Sequence, residues 1–399
     1  MKKLILLTVI FISSISYAQD IFSYCANGDL DAVKKAVESG VDVNAPNPSS
    51  KQNAIAYAFF YPEITKYLLE KGADPNGGSY PAIVSASSVA SLEVVKLLLD
   101  HGADPNKKGG NETALLKVVQ MTNCAELAEL LISKGADVKT TTGAYANLIG
   151  VYASYGLNQK DRKEAMIKYG TMLKKWNVTA ADWYMNPDDN LNAPPQDMLK
   201  VLIKNGLDIN ERNKNILDPK KQGETPLFTA MNVGNMDIIM SLLENGADYN
   251  ATYDVINKGL TLFDVKGEYT PLMYACVKGY TEVVRWLVQK PDLVNTSISG
   301  KTVNEKKTIL TIKGLSAIYL AIMSGNSEIV KLIAETSFTY EDLTIKLLSG
   351  QKFEGSYGSK ENEYTFAKTK KKSLKYTPSL FAGFTGQEDL ETYLKSKNL

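Results

Sequence analysis

The sequence predicts an all-α fold: an α-solenoid of about nine stacked helix pairs, with extended β-hairpin fingers in its C-terminal half. Three observations predict it. A helix–turn–helix pattern recurs along most of the chain at a near-constant spacing. Each copy is too short to bury its own apolar faces, so copies must stack on one another. In three of the later copies the spacing lengthens after the second helix, and the added residues alternate as strands do.

Gly223 to Asn250 shows the pattern in full. Thr225-Pro226 opens a helix, the hydroxyl capping free N–H groups and the proline tolerated in the first turn. Leu227, Ala230 and Met231 share one helical face. Gly234-Asn235 suits the turn into a second helix, whose Ile238, Ile239, Leu242 and Leu243 form an apolar stripe. Asn245-Gly246 ends it, because glycine accepts the left-handed conformation of a C-cap.

Copies lie on both sides. Thr270-Pro271-Leu272-Met273-Tyr274-Ala275 is followed by Gly279 and Glu282-Val283-Val284. Pro81 to Asn106 holds Glu93-Val94-Val95-Lys96-Leu97-Leu98-Leu99 and closes on Gly102-Ala103-Asp104-Pro105-Asn106. Others run from Glu63 to Asn76, Thr113 to Asp137 and Ser316 to Ile333, with weaker ones at Ile21 to Asn44 and Thr377 to Leu394. The alternation Thr-Pro-Leu-x-x-Ala, Gly-x-x-Glu-Val-Val-x-x-Leu-Leu, Gly-Ala-Asp-Pro-Asn resembles the ankyrin repeat. The resemblance implies an α-solenoid that serves as a protein-binding scaffold.

Residues 1–18 stand apart from the repeats. Lys2-Lys3, the apolar Leu4 to Ile12 and the small-x-small Ser16-Tyr17-Ala18 read as a secretory signal peptide cut after Ala18. The apolar run is well short of the ~20 residues that span a bilayer, and no later segment is longer. A periplasmic or secreted location is expected. The remainder divides into N-terminal repeats over 19–142, an irregular repeat with a helical insertion over 143–222, and C-terminal repeats with long hairpins over 223–399.

The spacings locate the departures. Pro81 to Thr113 is 32 residues, but Thr225 to Thr270 is 45, Thr270 to Ser316 is 46 and Ser316 to Thr377 is 61. Three hairpins side by side are expected there. The first is Tyr253–Val255, a turn at Asn257–Gly259, and Leu260–Leu262. The second is Ile298–Val303, a turn at Asn304–Lys307, and Ile309–Ile312. The third is Phe353–Tyr357, a turn at Ser359–Asn362, and Tyr364–Phe366. Mid-chain, Asp161 to Trp176 has helical spacing and is expected to cap the side of the stack, with Trp176 and Trp183 packed inward.

The full chain carries a net charge of +1, without the basic excess that bulk nucleic-acid binding usually shows. Cys25, Cys124 and Cys276 fall in non-adjacent copies, too far apart for a disulfide, and are expected to be buried thiols. Catalysis is not expected. The single histidine, His101, sits in a turn. Ser349-x-x-Lys352 lacks its companion motifs. Asp188-x-Asn190-x-Asn192 has Ala193 and Leu199 where a calcium loop needs glycine and a carboxylate. No cofactor or metal site is read in the chain.

The expected function is therefore recognition of a partner protein by the concave face and the hairpins. Candidate contacts are Tyr253, Lys258, Lys306, Lys307, Tyr357, Tyr364, Phe366, Lys370, Lys371 and Lys372. Aromatic residues anchor interfaces because they bury much area at small entropic cost. The lysine run, with Lys368 and Lys375, suits an acidic partner surface; alternatively, the protein is an envelope factor touching an anionic polymer. An immunity or inhibitory role toward a secreted effector is a third possibility.

Overall fold

The computed structural model describes residues 21–122, 124–140, 147–155, 195–214, 222–256, 266–304, 307–347 and 373–399. They fall into two compact units, one of residues 1–222 with 233–245, the other of 223–232 with 246–399. Among the described residues no helix is long and apolar enough to cross a membrane.

In the first unit, helices α1 (21–27) and α2 (Leu30–Glu38) open the chain. A short 3-10 turn (Ala54–Tyr57) stands in for a first helix before α3 (Pro62–Glu70). The pairs α4 (Ala82–Ser88) with α5 (Leu92–Asp100), and α6 (Ala114–Lys117) with α7 (Ala125–Ser133), follow. α6 runs on into one π turn, Val118–Thr122. After α8 (Leu148–Tyr155) come α9 (Pro195–Lys204) and, beyond the second unit's α10 (Pro226–Val233), α11 (Met236–Glu244). First helices stack on first helices, as α4 on α6. Second helices stack on second helices, as α3 on α5 and α7 on α9. The predicted insertion helix, Asp161 to Trp176, and Trp183 lie outside the described residues.

Each helix buries the stripe its spacing predicts. In α5, Val94, Val95, Leu98 and Leu99 are buried while Glu93, Lys96 and Asp100 face solvent. A side-chain clamp ties consecutive copies. Asn44 donates to the Gly72 carbonyl (2.9 Å) and accepts from the Asp74 N–H (2.7 Å). Asn76 does the same to Gly102 (2.9 Å) and Asp104 (2.7 Å). Asn106 repeats it at Gly135 (2.8 Å) and Asp137 (2.7 Å). Each aspartate in turn accepts the N–H two residues on, closing the local turn that presents the next asparagine, as Asp104 does for Asn106 (2.8 Å). The row breaks at Asp137, because the asparagine slot holds Lys139. In the second unit Asn250 takes up the same role, donating to the Asp292 carbonyl and accepting the Val294 N–H, each at 2.9 Å.

The second unit holds α10 up to residue 232, then α12 (Pro271–Lys278), α13 (Thr281–Leu287), α14 (Ala317–Ser324), α15 (Ser327–Ala334), α16 (Pro378–Phe384) and α17 (Glu388–Ser396). Thr225 caps as expected, and Thr270 and Thr377, in the same slot of their copies, do so too: each accepts an N–H three residues on, at 3.3–3.4 Å. Ser316 occupies the same slot before α14, but its hydroxyl makes no capping bond.

Among the described residues six strands lie between these helices. β1 (Tyr253–Ile256) pairs antiparallel with β2 (Lys266–Tyr269). β3 (Ser297–Asn304), β4 (Lys307–Ser316), β5 (Leu343–Leu347) and β6 (Ser373–Tyr376) form one antiparallel sheet in that order. The second predicted hairpin is thus the pair β3–β4, closing at Asn304 opposite Lys307. The first differs: Tyr253 pairs with Tyr269, so the return strand lies beyond the predicted Leu260–Leu262, and 257–265 are outside the described residues. The strands of the third, Phe353–Tyr357 and Tyr364–Phe366, also lie outside them. In place of separate hairpins side by side, β5 joins β4 directly, because Ile345 falls opposite Ile312 and both are buried.

Cys25 and Cys276 are fully buried, as expected. Cys124 is not: it sits half-buried at the N-cap of α7, between the two helices of its copy, where the apolar stripes do not reach.

Candidate functional site

In the second unit, α12 and α14 are sealed. Every residue from Pro271 to Val277, and from Ala317 to Met323, is buried. Both helices are apolar on all sides, which is the signature of a helix covered on all sides. Side chains able to meet another molecule therefore come from elsewhere in the unit, from its second helices and its sheet.

Tyr319 of α14 fixes that sheet. Its hydroxyl lies 3.0 Å from the Glu341 carbonyl and 2.9 Å from the Tyr376 carbonyl, and accepts the Leu343 N–H at 3.2 Å. One side chain thus ties the start of β5 and the end of β6 to the helix beneath. Its ring meets Phe381 of α16 edge-on, 5.7 Å between centroids. Burial pushes the Tyr319 phenol well above its ordinary pKa, so it stays a neutral hydrogen-bonding group.

Strand alternation then sorts the side chains. Ile312, Leu343 and Ile345 point inward and are buried; Lys313, Lys346 and Lys375 are exposed on the other face. Register places Lys313 opposite Thr344, and Thr344 opposite Lys375, giving a row Lys313–Thr344–Lys375 across three strands. Lys346 lies opposite Thr311 in the neighbouring row. Within the described residues none of these three lysines is in an ion pair. The nearest acids along the strand are the exposed Glu341 and Asp342. Glu341 is engaged by the Ser297 hydroxyl at 3.4 Å. Gly314 ends the regular part of β4 with φ +82°; a side chain there would meet the Asp342 carbonyl oxygen at 2.6 Å.

The family described as ankyrin repeats (3 copies) matches residues 21–109 and 191–298. The chain is an ankyrin repeat protein. Ankyrin repeats are generally scaffolds for protein–protein interaction, and the family is typically non-enzymatic. Among solved structures, an ankyrin repeat domain from Acinetobacter baumannii AYE is similar at 20% identity and a TM-score of 0.40, over 57% of this chain and 98% of that one. No curated protein matches the chain.

The ankyrin repeats place the predicted contacts unevenly. Tyr253 is only 8% exposed, its ring 5.4 Å from that of Phe228, so it packs inside its own repeat instead of facing a partner. Lys307 opens β4 opposite Asn304. Lys258, Lys306, Tyr357, Tyr364, Phe366, Lys370, Lys371 and Lys372 lie outside the described residues. The lysine face was missed because its members come from strands far apart in sequence. The alternation Thr311-Ile312-Lys313 and Thr344-Ile345-Lys346 was the available signal. His101 is exposed at the end of α5, its Nδ1 2.8 Å from the Leu97 carbonyl. Among the described residues no group of His, Cys, Asp and Glu could hold a metal.

Proposed function

We propose that this protein is an exported, non-catalytic ankyrin scaffold that binds a partner protein through the sheet side of its second unit. The sealing of α12 and α14 carries the reading: with those first helices covered, the β3–β6 face offers a broad surface on the side where they would otherwise make contact. Export rests on the leader read over residues 1–18. Tyr357, Tyr364 and Phe366, in the connection between β5 and β6, are further candidate anchors by residue type.

The test is photo-crosslinking in the native host, with the probe amino acid at Thr311 or Thr344 on the sheet and at Lys34 on α2. A discrete crosslinked protein from the sheet positions alone supports the reading. Equal crosslinking from Lys34, or none from the sheet, refutes it. Fractionation of the same cells, with N-terminal sequencing for cleavage after Ala18, tests export separately.

A further inference from the structure

Taking that reading as its basis, we infer that the outer face of β4–β6 docks an acidic, extended segment of the partner protein. Three features converge. Lys313, Lys346 and Lys375 stand exposed on one face, with no carboxylate paired to any of them among the described residues. Solvated lysines whose charge is not locally neutralised attract an opposite charge that brings its own carboxylates. The residues between them, Thr311 and Thr344, are short, so they leave backbone-wide gaps between the ammonium groups. With strands ~4.8 Å apart, Lys313 and Lys375 lie on the order of 10 Å from each other. That separation suits carboxylates spaced along an extended chain, whose alternate side chains repeat at ~6.8 Å and whose Asp and Glu arms reach further.

The face is also held rigid. Tyr319 pins β5 and β6 from below, and the buried pair Ile312 and Ile345 fixes the register that aligns the lysines. A preorganised array loses less entropy on binding than lysines on a free loop.

The test titrates the full-length protein into a fluorescein-labelled peptide of alternating Asp and Glu and reads anisotropy. The variant Lys313→Ser/Lys346→Ser/Lys375→Ser is compared with Lys34→Ser/Lys35→Ser on α2, and circular dichroism checks that both remain folded. The inference expects saturable binding that weakens steeply with salt, a loss of at least ~10-fold in the sheet variant, and little change in the α2 variant. A second arm replaces the peptide by polyphosphate. Peptide binding that is absent, or equal in both variants, overturns the inference. So does polyphosphate binding more tightly than the peptide through the same lysines, since the ligand would then be an anionic polymer. Crosslinking from Thr344 that survives the triple substitution would leave the scaffold reading standing and remove only its acidic partner.

Discussion

The carboxamide of Asn76 accepts the Asp104 N–H at 2.7 Å while donating to the Gly102 carbonyl at 2.9 Å, so one side chain satisfies both strands of the next repeat's turn. Asn44 and Asn106 do the same one repeat to either side. Asn76→Ala removes both bonds from a partly exposed site and should lower the unfolding free energy by about 1–2 kcal/mol. Urea denaturation of the variant against the parent measures it. Asn76→Asp, which keeps the acceptor but sets a carboxylate against the Gly102 carbonyl, should do no better than alanine. An aspartate variant as stable as the parent would mean that the donated bond contributes nothing.

Tyr319→Phe keeps the ring on Phe381 and removes only the hydroxyl that serves Glu341, Leu343 and Tyr376. The Leu343 N–H, belonging to a residue that is itself fully buried, then loses an acceptor. A cost of about 1–3 kcal/mol is expected. Hydrogen exchange should locate it, with faster exchange in β5 and β6 and little change in α2 or α5. Uniform acceleration across the chain would contradict the pinning role.

Thr270 and Ser316 occupy one slot in successive repeats with opposite consequences. Thr270 caps α12 through the Met273 N–H at 3.3 Å, and Thr270→Ala should cost about 1 kcal/mol. The Ser316 hydroxyl is buried with no hydrogen-bond partner among the described residues. Ser316→Ala should therefore be neutral, or stabilising by up to ~1 kcal/mol. Thermal melts of the two variants side by side decide the matter; a destabilised Ser316→Ala would show that the hydroxyl has a role.

The thiols separate by burial. Desolvation pushes the Cys25 thiol from an ordinary 9.0 up to about 12, and Cys276 in the same direction. Burial favours the neutral thiol, so this contribution to stability is complete below pH 9 and is lost as the pH climbs toward 12. The folded protein should react with a chromogenic disulfide reagent at one position, Cys124, at pH 8, and at all three once unfolded in guanidinium. Rapid modification of Cys276 in the folded state would contradict the sealed repeat.

Much of this was legible in the sequence because it is local chemistry. A Thr-Pro cap, a Val-Val-x-x-Leu-Leu stripe and a Gly-Ala-Asp turn each act within a few residues, and Thr225, Thr270 and Thr377 cap as their type implies. The second hairpin was legible too, since β3 and β4 are neighbours in the chain. Long-range pairing was not. Leu343–Leu347 alternates plainly, yet nothing in it names β4 as its partner, so the sheet and its lysine face came only with the register. Tyr253 misled for a related reason: an aromatic at a strand start packs inward or outward according to which residue faces it, here Phe228. The recurrence of Asn44, Asn76 and Asn106 was visible; the carbonyls and N–H groups they hold were not.

One consequence follows from where the strands enter. β2, β4 and β6 each run directly into a helix whose first turn is defined by the residue at the junction, Thr270, Ser316 or Thr377. The helical frame begins anew at each of these points, whatever length of chain came before. Only part of the ribbon between Val294 and Ser316 is free to drift, however: outward positions such as Thr311 and Lys313 can be exchanged without touching the helices, whereas Ile298, Ile312 and Leu315 are rooted in the core.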